Sequence, residues 1–258
     1  MISVALDPHG GALVARVTLD DPARLNCLGH DALGQLVADM RALEHDPRIR
    51  AVVLTGAGDK AFCGGADLAA LGGLNPSTAR VFIGKIHAAC AAMRDCPVPV
   101  IARINGWCLG AGLELVACCD LRIAADSANF GMPEVRLGIP SVVEAAVLPR
   151  LFGAGRARWL VMTGLNIGAA EALAWGLVEK VAPAAQLDAA VNAALDAIVA
   201  GEPKAMRAQK RLCRLWEEST LAESVRVSID EFARSYDSDE PNRRVAALRS
   251  ARANKKPR

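Results

Sequence analysis

Apolar and polar positions alternate over residues 2–6 and again over 12–19, and Pro8-His9-Gly10-Gly11 between them has the composition of a turn. The chain is therefore expected to open as strand, turn, strand. From His30 to His45 the period changes, with Leu33, Leu36, Val37, Met40 and Leu43 recurring at the spacing of one helical face. AVVLTG at 51–56 is a short β-branched apolar run ending in glycine, and PVPVIARING at 97–106 resembles it, with Pro97 and Pro99 ahead of the strand. DLRIAAD at 120–126 and LVEKV at 177–181 read as two more strands. Pattern and glycine punctuation place helices at roughly 76–94, 110–118, 141–151, 155–163 and 168–175. Strands that alternate with helices and are apolar on both faces belong to α/β architecture with buried, largely parallel strands.

After about residue 184 the pattern is helical to the end, with breaks expected at Pro183, Pro203 and Pro241. This divides the chain into a core over 1–200 and a C-terminal helical region over 201–258. The latter is small for an independent core and is expected to pack on the body or on another subunit. No internal sequence repeat or low-complexity tract is visible.

Composition narrows the picture. At 258 residues with 52% hydrophobic positions the chain can bury a substantial core, yet its apolar runs are too short to cross a bilayer. The start, MISVALDPHGG, lacks the basic and apolar regions of a signal peptide, so a soluble cytoplasmic protein without a membrane partner is expected. A net charge of +2 is too balanced to imply nucleic acid. The final RSARANKKPR is locally basic and reads as a solvated tail, or as a help in holding a polyanion. Eight cysteines contain no CxxC pair, and reduced core thiols are expected.

Two glycine-rich segments follow strands. In AFCGGADL at 61–68, Gly64 and Gly65 permit close approach of the main chain to a ligand. In GWCLGAGLELVACCD at 106–120, Gly110, Ala111 and Gly112 open a helix whose first N–H groups are free to bind an anion. A dinucleotide fingerprint is the competitor there, but Leu115 stands at its third glycine position. Glu114 is the polar exception in an apolar helix, and the motif alone fits either a glutamate bonded in the first helical turn or a catalytic acid. His9, His30, His45 and His87 are scattered, so no metal site is expected, and no GxSxG elbow exists. Carboxylates and backbone donors remain, which suit proton transfer beside a carbonyl.

AFCGGADL, NGWCLGAGLELVACCDLRIA and FGMPEVRLGIP, in this order and spacing, resemble the enoyl-CoA hydratase/isomerase (crotonase) family. The resemblance runs over nearly the whole chain and weakens after about residue 205. It implies a spiral of ββα units with a C-terminal helical trimerisation region, assembled as a homotrimer or dimer of trimers. It also implies an oxyanion hole from the N–H groups of Ala66 and Ala111, the latter standing where the family commonly has glycine. Glu114 would then deprotonate water for attack at C3 of an enoyl-CoA, and Glu134, twenty positions on, would supply the proton at C2. Gly65, Ala66, Asp67 and Leu68 would line coenzyme A, which enters as part of the substrate rather than as a cofactor. Arg24 is either a phosphate contact or a solvated arginine, and Trp107 either a wall of the acyl pocket or core.

One segment departs from the family pattern. Where hydratases often carry a glycine-rich run, this chain has Val143-Glu144-Ala145-Ala146-Val147. Ser141-Val142-Val143-Glu144 fits a capping box, with Glu144 folding back onto Ser141, the alternatives being a third acid in the pocket or a surface site. The tail SYDSDEPNRRVAALRSAR also differs from the family's usual pattern. The expected activity is enoyl-CoA hydration, with a straight or small branched acyl group. Double-bond isomerisation, decarboxylation or thioester hydrolysis, and a non-catalytic binding relative, are the competing readings.

Overall fold

A computed structural model describes residues 1–254, with side chains to residue 251. The last four residues of the basic tail lie outside the described residues. The chain runs β1 (Ile2–His9), β2 (Ala12–Leu19), α1 (His30–Glu44), β3 (Ile49–Gly56), β4 (Ala61–Cys63), α2 (Leu68–Leu71), α3 (Pro76–Asp95), β5 (Val100–Ile104), β6 (Trp107–Leu109) and α4 (Ala111–Ala117). It continues through β7 (Leu121–Ala125), β8 (Asn129–Gly131), α5 (Leu148–Phe152), α6 (Ala154–Thr163), β9 (Asn166–Gly168), α7 (Ala169–Trp175), β10 (Lys180–Ala182) and α8 (Leu187–Ala200). Three further helices follow, α9 (Pro203–Glu218), α10 (Leu221–Arg234) and α11 (Glu240–Asn254). Contacts divide the chain into a unit over Met1–Gly201 and a second unit from Glu202 onward. No helix among the described residues is long and apolar enough to cross a membrane.

Six strands form one sheet in the order β1-β2-β3-β5-β7-β10, antiparallel between β1 and β2 and parallel thereafter. The β1–β2 pairing reaches His9 opposite Ala12, so the turn is confined to Gly10-Gly11 and Pro8 lies within the strand. Pro8 is tolerated because β1 is an edge strand, where a missing N–H breaks no ladder. The central strands β3 and β5 are apolar and almost wholly buried, as parallel strands covered on both faces must be.

The second sheet, β4-β6-β8-β9, is built from three-residue strands. Strands this short show no period, and the pattern of apolar positions did not reveal them. β4, β6 and β8 each follow a strand of the large sheet, so the chain repeats a long strand, a short strand and then helical structure.

Between Ser141 and Leu151 the expected continuous helix is divided. Val143–Val147 is a 3-10 turn and α5 begins only at Leu148. Pro149 stands in the first turn of α5, where its missing N–H is harmless, whereas deeper in one long helix it would remove a bond. Val143 moreover takes φ +41, outside the helical region. Downstream, Pro203 opens α9 and Pro241 lies in the first turn of α11, so these prolines start helices.

Asn26 ties the loops beneath the site together. It is 2% exposed, its amide donates to the carbonyls of Ala57 and Ala61 at 3.0 and 2.9 Å, and its Oδ1 accepts from Asp21 N–H at 2.9 Å. Its φ of +57 is tolerated better by asparagine than by most residues. Asn26→Ala is expected to destabilise the fold by about 1–3 kcal/mol, since buried groups lose their partners and alanine tolerates the left-handed conformation less well than asparagine. Urea unfolding measures this, and an unchanged midpoint would remove Asn26 from that role.

In the second unit, α9 and α10 pack against each other. They leave Trp216, Leu221, Val225, Ile229 and Phe232 exposed around one groove.

Candidate active site

The two glycine-rich segments meet where the ends of β4 and β6 lie side by side. Gly112, in the first turn of α4, packs so tightly on β4 that an added β-carbon would fall 2.7 Å from Cys63 Cβ. Only hydrogen fits there. Gly110, just before α4, adopts φ +50 and ψ −121, a conformation open to glycine alone. A β-carbon on Gly65 would stand 3.9 Å from Ala111 N, which places the Gly65-Ala66 turn against the start of α4.

Two backbone donors result. Leu28 and Ala66 form an isolated parallel bridge in which Leu28 N–H donates to Gly65 O and Asp67 N–H to Leu28 O. Ala66 N–H is thereby turned away from the bridge and meets no acceptor among the described residues. Ala111 N–H belongs to the first residue of α4 and likewise has no acceptor among them. Free N–H groups at the start of a helix carry partial positive charge, and a pair of them suits an oxygen that becomes anionic.

Glu114 lies one turn into α4 and is 4% exposed. Its Oε1 accepts from Ala145 N–H at 3.1 Å. Burial first, and then the charge of Glu134, push its carboxyl from the usual 4.5 up to about 8, with Glu144 adding to the rise and the Ala145 N–H opposing it. Glu134 opens a 3-10 turn over Glu134–Leu137, and its Oε2 accepts from Ser141 Oγ at 2.8 Å. Its other oxygen would stand only 2.5 Å from a β-carbon on Gly110. Both glutamates therefore belong to the site that holds Gly65 and Gly110, and their charges interact. Glu114 therefore keeps its proton into the neutral range.

Glu144 does not cap a helix. Val142 is the residue preceding the 3-10 turn, and Ser141 Oγ is engaged by Glu134. The Glu144 carboxylate instead accepts from His87 Nδ1 of α3 at 2.6 Å. The capping box fails because Val143 leaves helical geometry, which turns Glu144 inward to 8% exposed.

The segment after Pro22 wraps the 64–67 turn. Arg24, exposed, donates from Nε to Asp21 and from Nη1 to Asp67, both at 2.8 Å. Its guanidinium is thus already held by two carboxylates, with its charge favoured first by Asp21. Asp67 also caps α2 by accepting from Ala69 N–H at 2.9 Å, and Leu68, next in line, is exposed. Trp107 opens β6 and is partly exposed, with Cys108 and Leu109 between it and Gly110. Ser141 and His87 were not legible as site residues. Ser141 carried a capping signature, and His87 sits in a helix with nothing in its local sequence to point at residue 144.

A model of the enoyl-CoA hydratase/isomerase family matches residues 9–248. The chain belongs to this family. It is 33% identical over 247 residues to a protein named short-chain-enoyl-CoA hydratase from Clostridium acetobutylicum, covering 95% of this chain and 94% of that one. Crotonyl-CoA hydratase from Syntrophomonas wolfei is 35% identical over 246 residues, covering 93% and 94%. A crystal structure of enoyl-CoA hydratase from Mycobacterium smegmatis superposes with a TM-score of 0.92 at 28% identity, covering 97% of this chain and 96% of that one. The two-sheet arrangement described above is the crotonase fold shared by these family members.

Proposed function

We propose that this family member is an enoyl-CoA hydratase, adding water across the double bond conjugated with the thioester. The observation that carries the reading is a pair of carboxyls whose charges interact, Glu114 in the first turn of α4 and Glu134 against Gly110, together with the free N–H groups of Ala66 and Ala111. The relatives' names, short-chain-enoyl-CoA hydratase and crotonyl-CoA hydratase, support it. Ala66 and Ala111 N–H bind the thioester oxygen and stabilise the enolate as charge moves onto it. Coenzyme A lies along Gly65, Ala66, Asp67 and Leu68, with Arg24 holding Asp67 in place. The reaction needs no cofactor beyond the coenzyme A of the substrate.

In hydration Glu114 takes the proton of water as its oxygen bonds to C3, and Glu134 delivers a proton to C2. Dehydration travels the same path backwards, so each carboxyl is acid in one direction and base in the other. The ligand-free state, with the proton on Glu114, is the one hydration leaves behind and dehydration begins from. A base with so high an affinity for protons is also a strong one once ionised. Because one shared proton is required, kcat/KM is expected to fall above about pH 8, where Glu114 gives that proton up. Initial rates from about pH 6 to about pH 10 would show this limb. A profile flat to the alkaline end would sink the shared-proton scheme.

The deciding test is a panel of enoyl-CoA and acyl-CoA thioesters with mass-spectrometric product detection. Hydration appears as addition of water, whereas isomerisation, decarboxylation and hydrolysis each leave a different product. The exposed apolar residues along α9 and α10 support assembly through that region as a homotrimer or a dimer of trimers, since such a patch rimmed by polar residues marks a contact surface.

A further inference from the structure

Glu144 takes no part in the proton transfers described above, yet it is buried beside them. Its Oε1 is bonded to His87, while its Oε2 is buried and has no hydrogen-bond partner among the described residues. Ala145, the next residue, donates its N–H to Glu114, and the Glu144 charge acts on both Glu114 and Cys90. The carboxylate therefore lies alongside the catalytic carboxyl, between α3 and α4.

Three ordinary explanations for a glutamate fail here. It is not a surface residue, being 8% exposed. Nor is it a helix cap, because no backbone N–H is bonded to it. A purely structural ion pair is also a poor account, because such a pair is worth burying only when both carboxylate oxygens find donors. Val143 adds a further cost. A β-branched residue at φ +41 is an outlier, and strain of this kind gathers at ligand-binding positions.

An orphaned carboxylate oxygen on a residue that acts on Glu114 wants a hydrogen-bond donor. Beyond the reacting carbons, the group that enters the site is the acyl chain. We propose that Glu144, oriented by His87, is a specificity-determining residue that accepts a hydrogen bond from the acyl group, so that preferred substrates are enoyl-CoA thioesters carrying a hydroxyl beyond C3. An acidic acyl tail is rejected, because it would set a second carboxylate against the unpartnered oxygen of Glu144. The inference rests on the hydratase reading for its reaction, but the binding preference does not depend on turnover.

The test uses the full chain and matched thioesters: crotonyl-CoA with its terminal-hydroxyl counterpart, the same pair one carbon longer, and the saturated analogue of each. Wild-type protein should favour the hydroxylated member of at least one pair by about 10-fold in kcat/KM, the size expected for a hydrogen bond to a charged group. Glu144→Leu should bring that ratio to about one or below, and Glu144→Gln should place it between. A ratio is insensitive to a general loss of folded or active protein, which a structural role would cause. Calorimetric binding of the saturated analogues reads the same preference without chemistry. Absence of a hydroxyl preference in wild type, or its survival in Glu144→Leu, would overturn the proposal. If no enoyl thioester is hydrated, the hydratase reading falls by itself, and the saturated pairs still decide whether Glu144 selects a hydroxyl.

Discussion

Glu114→Gln and Glu134→Gln are each expected to lower kcat/KM for the best enoyl-CoA by about 10²- to 10⁴-fold, the range supplied by a positioned acid or base. The two losses should not add in the double variant, because either carboxyl alone leaves the shared proton without a partner. Steady-state kinetics on the single and double variants measure this. Retention of activity within a few-fold of wild type in either single variant would end the paired-carboxyl mechanism and favour a reaction that needs one acid. Glu114→Gln carries a second signature in stability. The folded carboxyl holds its proton to about pH 8, while the exposed carboxyl of the unfolded chain releases it near 4.5. The folded state therefore binds more protons across that window, so the contribution to stability is full below pH 4.5 and is lost as pH rises towards about 8. Glutamine cannot ionise, and thermal unfolding of the variant should lose this part of the pH dependence.

Gly110→Ala is expected to reduce kcat/KM by about 10²-fold or more while the chain still folds, because small displacements of reacting groups cost rate out of proportion to their size. Two effects converge at this position. The backbone sits at φ +50 and ψ −121, closed to a side chain, and the new methyl would lie 2.5 Å from Glu134 Oε1. Relief requires Glu134 to leave Ser141, or the Gly110-Ala111 peptide to rotate and carry the Ala111 N–H out of line. Either movement strikes the proposed chemistry directly. The strain should also lower stability by about 1–3 kcal/mol. Kinetics together with urea unfolding separate the two consequences. An alanine variant with wild-type kcat/KM would show that neither Glu134 nor the Ala111 donor needs its present position.

Much of this is legible in the sequence. Buried parallel strands write themselves as β-branched runs and surface helices as periodic stripes, so β3, β5, β7, α1 and α3 were recognisable from residues a few positions apart. Gly110 and Gly112 stood out because main-chain conformation and close approach are local demands, met by one residue type. Glu114 and Glu134 stood out by the register of three motifs. The four short strands β4, β6, β8 and β9 did not, since three residues are too few to show an alternation.

The sequence by itself determined the longer strands and helices and the two glycine turns, because each depends on chemistry within a few residues, while Glu114 and Glu134 stood out as a pair only through the resemblance of three linked motifs to the family. Only the tertiary structure decided what those residues face. It gave Glu114 its raised proton affinity through burial and through Glu134, twenty residues away in the chain. It set Ser141 against Glu134 and His87 against Glu144, pairings across 7 and 57 positions that no local signature could announce. Ser141-Val142-Val143-Glu144 has the composition of a helix cap, but a cap needs a helix beginning at its second residue. Val143 and Pro149 prevent that helix, and the fold leaves the released glutamate buried beside Glu114, accepting from His87.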